Sequence, residues 1–214
     1  MDPLINILTR TSNRPNNFKR TLASIRSQSY TKVNHVVCTD DSKSEAYLRS
    51  SGISDYVMID RRQLILEEMY PDPGTWPYSP HNVYFNIMHE QVSSGWVLYL
   101  DDDDVFLNEG SLASIADFIK RHDEDTILFW RMQYSDGKML PPTVSRNHPP
   151  KLYRIGGSCF TFHSKYLHFA GWDSWKCSDF RVIDRLYKVI PKMAYLDYPM
   201  IFVRSQGLGT RKDE

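Results

Sequence analysis

The chain has 214 residues, with 26 Lys and Arg against 26 Asp and Glu, and is 41% hydrophobic and 13% aromatic. That length buries roughly 70% of the unfolded surface in one core, and the apolar content excludes a disordered chain. Zero formal charge excludes nucleic-acid wrapping by bulk electrostatics, and no apolar run approaches the ~20 residues of a membrane span.

The start carries Asp2 where a signal peptide has its basic region, so no leader is expected. Cys38, Cys159 and Cys177 are odd in number and widely spaced. This fits a reducing compartment, the cytoplasm, without a disulfide framework.

Residues 4–9 read as a buried strand. Pro15 suits a first helical turn, and Phe18, Leu22 and Ile25 follow at helical spacing. Residues 33–38 are a second strand, 44–49 a short helix stopped near Gly52, and 56–59 a third strand. Residues 71–80 carry four prolines and a glycine and read as a loop. Phe85, Met88 and Val92 mark a helix, and 96–100 a fourth strand running straight into Asp101, Asp102, Asp103 and Asp104. Leu112, Ile115, Ala116 and Ile119 form a helical stripe with Ser111 as N-cap. Further on, 126–134 and 158–162 read as strands, Asp136-Gly137 as a turn, and a late helix begins near Ser178 and Asp179.

Strand–helix alternation at this spacing predicts a mostly parallel α/β sheet with flanking helices, followed by a smaller mixed-sheet lobe. The expected division is a binding half over 1–106 and a second half over 107–214, within one domain. The end at 207–214 has no structural terminator, which fits one domain of a longer polypeptide. Ligands in such sheets bind beyond the carboxyl ends of the strands. Three polar clusters fall there: Thr9-Arg10-Thr11, Asp40-Asp41 and the acidic tetrad.

Four consecutive carboxylates repel one another, by about 1 kcal/mol per pair at 4 Å in water. A divalent cation turns that cost into binding, and hard oxygen ligands suit Mg²⁺ or Mn²⁺. In an extended chain Asp101 and Asp103 project to one side and Asp102 and Asp104 to the other. One pair can face a metal while the other supports the loop; the plain alternative is a solvated acidic turn. Asp40 can accept hydrogen bonds from a ribose hydroxyl or a base N–H, or can serve only a turn. Thr9, Thr11, Arg10 and Arg14 offer hydroxyls and positive charge to a nucleotide. For the arginines, and for Arg61 and Arg62, surface ion pairs are the alternative. No Walker loop and no G-x-G-x-x-G is present. Trp172 and Trp175 could pack against the apolar face of a sugar ring, or be core. Gly156 and Gly157 permit close backbone approach, or make a turn.

In order along the chain stand LINILTR (4–10), Arg14-Pro15, TLASIRSQSY (21–30), VVCTDDS (36–42) and WVLYLDDDD (96–104). This series resembles the inverting GT-A glycosyltransferases of the family-2 type, with the members encoded by large algal viruses a close-looking variant. The resemblance is specific over 4–106 and weaker over 150–205. It implies a GT-A fold and transfer from a nucleotide-diphosphate sugar, most often a UDP-sugar, to a glycan or glycoprotein acceptor, with Mn²⁺ or Mg²⁺. It places Asp40 on the nucleoside, Thr9, Arg10, Thr11, Asp101 and Asp102 on the nucleotide sugar, and Asp101 and Asp103 on the metal, Asp103 the more direct. It sets the general base at the start of the late helix, where Asp179 stands, with Asp173 and Asp184 in reserve; the helix N-terminus should favour an ionised Asp179. A virus-encoded member would work in the host cytoplasm. The long proline-rich loop departs from the family, as does the lack of Ala-Arg-Asn before the metal strand, where only Asn82 stands nearby.

Two other functions share these residues. A sugar-phosphate nucleotidyltransferase would want a glycine-rich basic loop after the first strand, and residues 9–15 contain no glycine. A non-catalytic nucleotide-sugar or glycan-binding module would keep Asp40 and the tetrad but need no base.

Overall fold

A computed structural model describes residues 2–66, 76–142 and 149–204. Of the expected proline-rich loop, residues 71–75 lie outside the described residues, as does the 207–214 end.

The first half alternates as read, with one further helix after the third strand. It runs β1 (Ile5–Thr11), α1 (Pro15–Arg26), β2 (Val33–Thr39), α2 (Ser44–Ser50), β3 (Val57–Met58), α3 (Arg61–Leu66), α4 (Tyr84–His89) and β4 (Trp96–Tyr99), with a 3-10 turn at Pro80–Val83 before α4. The second half adds β5 (Asp104–Phe106), α5 (Ser111–Lys120), β6 (Thr126–Tyr134), β7 (Met139–Leu140), β8 (Phe160–His163), α6 (Ser178–Val189) and β9 (Lys192–Val203). Strands from both halves belong to one nine-stranded sheet, ordered β3-β2-β1-β4-β8-β6-β9-β5 with β7 beside β6. The pairs β3/β2, β2/β1 and β1/β4 are parallel, and β4/β8, β8/β6 and β9/β5 antiparallel. The mixed region is therefore the continuation of the parallel sheet rather than a separate layer.

Every residue of β1 but Arg10 is buried, as a strand covered on both faces requires. Phe18, Leu22, Val37 and Leu48 seal the face under α1 and α2. The larger cluster, with Leu8, Val36, Cys38, Tyr84, Phe85 and Met88, fills the face under α4 and extends through the second half. Helix α5 begins one residue earlier than the capping expectation: Gly110 is the N-cap, and Ser111 instead accepts the Asn108 N–H at 3.1 Å. The three cysteines are unpaired, Cys38 and Cys159 in the core. Among the described residues no helix is long and apolar enough to cross a membrane.

Candidate functional site

Parallel register sets the ends of three strands at one edge of the sheet. Arg10 stands opposite Cys38 and Leu8 opposite Tyr99, so Thr9–Thr11, Asp40 and Asp101 emerge side by side.

Residues 101–104 form a turn rather than an extended segment, with the Asp104 N–H donating to the Asp101 carbonyl at 3.0 Å. Exposure still alternates. The Asp102 side chain is fully enclosed and Asp104 is buried, whereas the Asp101 and Asp103 side chains are 34% and 13% exposed. The amino-terminal helix holds this turn at successive points. Just ahead of α1, Arg14 pairs with both Asp102 carboxylate oxygens and, at 3.2 Å, with Asp103. The Thr21 hydroxyl lies 2.8 Å from the carbonyl oxygens of both Asp102 and Asp104. Gln28 bonds the Asn108 carbonyl and the Leu112 N–H, fixing the start of α5. Much of the motif over 21–30 is thus a clamp on the acidic turn.

Arg10 grips Asp101 with two hydrogen bonds, Nε to Oδ1 at 2.7 Å and Nη2 to Oδ2 at 3.0 Å, and reaches Asn82 Oδ1 at 2.9 Å. Its guanidinium stacks over Phe85, 4.7 Å from the ring centre. Loss of solvent raises the Asp101 pKa, but the Arg10 charge and hydrogen bonds outweigh it and hold the carboxyl below its ordinary value. Asp104 behaves oppositely. Burial, then the charges of Asp103 and Asp101, push it well above the usual carboxylate range, although Ser158 Oγ donates to it at 2.6 Å.

The Asp40 side chain is 5% exposed. Its Oδ2 accepts from the Tyr84 hydroxyl at 2.7 Å and pairs with Arg61 at 2.9 Å, while its enclosed Oδ1 has no partner. An unpartnered buried carboxylate oxygen is costly, and a ligand N–H or O–H would satisfy it. Arg61, read from the sequence with an ion pair as its alternative, makes one here with Asp40, whereas Tyr84 was not singled out, because helix periodicity does not say which residue faces a strand end.

Asp179 opens α6. Asn82, which accepts from Arg10, donates its Nδ2–H to the Trp175 carbonyl at 2.9 Å, tying the segment that leads into α6 to the acidic edge. The expectation that the helix start favours an ionised Asp179 is corrected: burial raises its pKa and outweighs the Phe180 N–H bond at 2.8 Å. Beneath it lie the two glycines. A Cβ at Gly156 would fall 2.2 Å from Met132 Cε and 3.9 Å from Asp179 Oδ2, and one at Gly157 3.8 Å from Asp179 Cβ. Tyr134, unread from the sequence, sits in the same field; burial and the charges of Asp104 and Asp179 push its hydroxyl pKa up.

Several expected contacts are placed elsewhere. Asp102 is sealed under Arg14, a support rather than a ligand contact. Thr9 and Thr11 are buried, their hydroxyls bonded to His35 at 3.0 Å and Tyr47 at 2.8 Å, because alternation turns them away from Arg10. Trp172 is core, 3% exposed and packed on Phe85 and Tyr99, not an acceptor platform. Trp175 is half-buried, edge-on to Tyr78 at 5.3 Å. Asp173 is locked by two bonds from Arg181, and Asp184 pairs with Lys188 at 2.7 Å along the helix, so neither reserve is poised as a base.

Among the described residues no three His, Cys, Asp or Glu side chains already converge as a cation site. The donor set of the turn nonetheless fits a hard cation. Its four carboxylates meet two guanidinium groups, those of Arg10 and Arg14, so acidic side chains outnumber basic ones at the turn. Two carboxylates with the rest of the shell from ligand oxygens is a usual Mg²⁺ arrangement.

No protein-family model matches the sequence, and no curated protein matches it significantly. Solved structures do share its fold. TarS from S. aureus, residues 1–349 in complex with UDP-GlcNAc, superposes with a TM-score of 0.69 at 17% identity, over 94% of this chain and 58% of that one. The mannosyltransferase PcManGT from Pyrobaculum calidifontis, in complex with GDP-Man and Mn²⁺, superposes with a TM-score of 0.64 at 12% identity, over 99% of this chain and 59% of that one. The architecture is the GT-A α/β fold, with a mixed sheet between flanking helices. This chain spans less than two thirds of the length of these neighbours.

Proposed function

We propose that this protein is an inverting, metal-dependent glycosyltransferase of the family-2 type, moving a sugar from a nucleotide-diphosphate donor, UDP-linked, to a hydroxyl of a glycan or glycoprotein acceptor. The observation that carries the reading is the unpartnered Oδ1 of Asp40 at the strand-end edge that also holds Asp101 and, through Arg10, Asn82 and the Trp175 carbonyl, the segment entering α6 with Asp179.

In this reading Asp40 accepts an N–H of the base or a ribose hydroxyl through its unpartnered Oδ1. Tyr84 and Arg61 fix its other oxygen. Asp103, with Asp101, would hold Mn²⁺ or Mg²⁺, which when bound offsets charge on the departing diphosphate. Arg10 keeps Asp101 ionised and oriented, and Arg14 with Thr21 keeps the turn from collapsing. Asp179 takes the proton from the acceptor hydroxyl as that oxygen bonds the anomeric carbon. The bond to the nucleoside diphosphate breaks with its electron pair leaving on the phosphate oxygen. A raised pKa makes Asp179 a stronger base once ionised.

A panel of nucleotide sugars, each with and without Mn²⁺, tests this by thermal unfolding. A ligand at 100 times its Kd adds about 2.7 kcal/mol, or about 5–11 °C for a chain of this size. UDP-sugars should give that shift with Mn²⁺, and Asp103→Ala should remove the metal-dependent part. A panel in which no nucleotide sugar shifts the transition overturns the proposal, and a GDP-only response would correct the base.

A further inference from the structure

Among the described residues the partly enclosed arginines are held by acids or, for Arg185, by the carbonyl oxygens of Phe169 and Gly171, and Arg204 has neither. The side chains of Arg10, Arg14, Arg131 and Arg181 are 16–21% exposed, and each holds a carboxylate: Asp101, Asp102, Asp197 and Asp173. Arg204 holds none. Its Nη1 is enclosed without a partner, and no ion pair or hydrogen bond of this side chain is present among the described residues. An enclosed guanidinium N–H without an acceptor costs the desolvation of a charged donor, so the site is incomplete without one.

Its place says what completes it. Arg204 directly follows β9, whose Val203 stands opposite Asp104 on β5 and beside Tyr134 on β6. Arg204 is therefore the first residue beyond the β5/β9 pairing, at the end where the chain of β5 leaves the acidic turn. The acids of this turn do not supply the missing acceptor, because Asp101 and Asp102 are paired with Arg10 and Arg14, and Asp103 faces Arg14 at 3.2 Å.

We propose that Arg204 binds the diphosphate of the donor nucleotide, its guanidinium donating to phosphate oxygens beside the acidic turn. This rests on the nucleotide-sugar reading given above. A planar guanidinium suits phosphate by paired N–H donors. It would also stay bonded to the nucleoside diphosphate as charge builds on the leaving oxygen. The sequence reading passed over Arg204, since a lone arginine beyond a strand carries no motif.

The test is calorimetric titration of the full chain with UDP and, separately, with uridine, both with Mn²⁺. Arg204→Gln should weaken UDP by about 10- to 100-fold, as for a lost charged hydrogen bond, and leave uridine unchanged. Arg204→Lys should recover part of the UDP affinity as a point charge. The thermal transition of ligand-free Arg204→Gln should stay put or rise, since an unpaired charge has been removed. UDP binding unchanged by Arg204→Gln overturns this inference while leaving the nucleotide reading intact. Equal losses for UDP and uridine, or a lowered thermal transition with them, assign Arg204 to the fold and overturn it. A wild-type protein that binds neither UDP nor uridine overturns the nucleotide reading, and this inference with it.

Discussion

Replacing Arg14 by Met keeps the length and apolar volume of the side chain but removes the charge that sits on Asp102. Asp102 is fully enclosed, and Arg14 meets both its oxygens, one of them through Nε at 3.1 Å. Breaking a buried pair by removing one partner costs about 3–5 kcal/mol. The orphaned carboxyl has one escape, which is to protonate. Starting from an ordinary pKa near ~3.9, that costs about 1.4 kcal/mol per pH unit, so about 4 kcal/mol at pH 7 and about 1.5 kcal/mol at pH 5. The sign follows from linkage. In the variant the folded state keeps a proton that the unfolded chain has lost, so stability falls as pH rises. Urea denaturation followed by tryptophan fluorescence at pH 5, 6 and 7 should therefore show Arg14→Met losing about 4 kcal/mol at pH 7 and progressively less toward pH 5. Adding Asp102→Asn should restore most of the loss by removing the stranded charge. A loss below about 1 kcal/mol at pH 7, or a deficit that does not change with pH, would refute the claim that this pair holds the acidic turn.

Asp40→Ala should weaken UDP itself by about 1.5–3 kcal/mol, the worth of a charge-assisted hydrogen bond; unchanged calorimetric affinity would remove Asp40 from the nucleoside site. Asp179→Asn should lower turnover by about 10²–10⁴-fold while donor affinity barely moves. In the wild type the acid limb of the rate profile should fall at a pH above the ordinary carboxylate range, since burial raises this pKa and the base must be ionised to act. Near wild-type transfer by that variant would leave Asp179 a helix-start residue.

The division of Trp172 from Trp175 shows where sequence reasoning stops. Both lie a few residues before Asp179 in a segment of mixed polarity, and either could face solvent. Only packing distinguishes them. Trp172 lies against Phe85 and Tyr99 from elements more than seventy residues away, whereas Trp175 stays half-buried beside Tyr78. Strand β9 was missed for a related reason: Tyr195, Asp197 and Pro199 interrupt any simple alternation, and the strand is defined by its partners β6 and β5, with register shifts along the way.

What the sequence by itself determined is local. Apolar runs of strand length, helical stripes and polar residues at strand ends placed the first four strands, the acidic turn and the start of α6, because these depend on near neighbours along the chain. What the tertiary structure decided is which polar groups are already spoken for. Arg14 meets Asp102 across 88 residues, Arg10 meets Asp101 across 91, and Tyr84 meets Asp40 across 44. Such pairings set which carboxylate oxygens at the edge are already bonded. They follow from sheet order and helix docking, long-range choices that no local spacing encodes, and they are why Asp102 became a buried support while Asp40 retained an oxygen for a ligand.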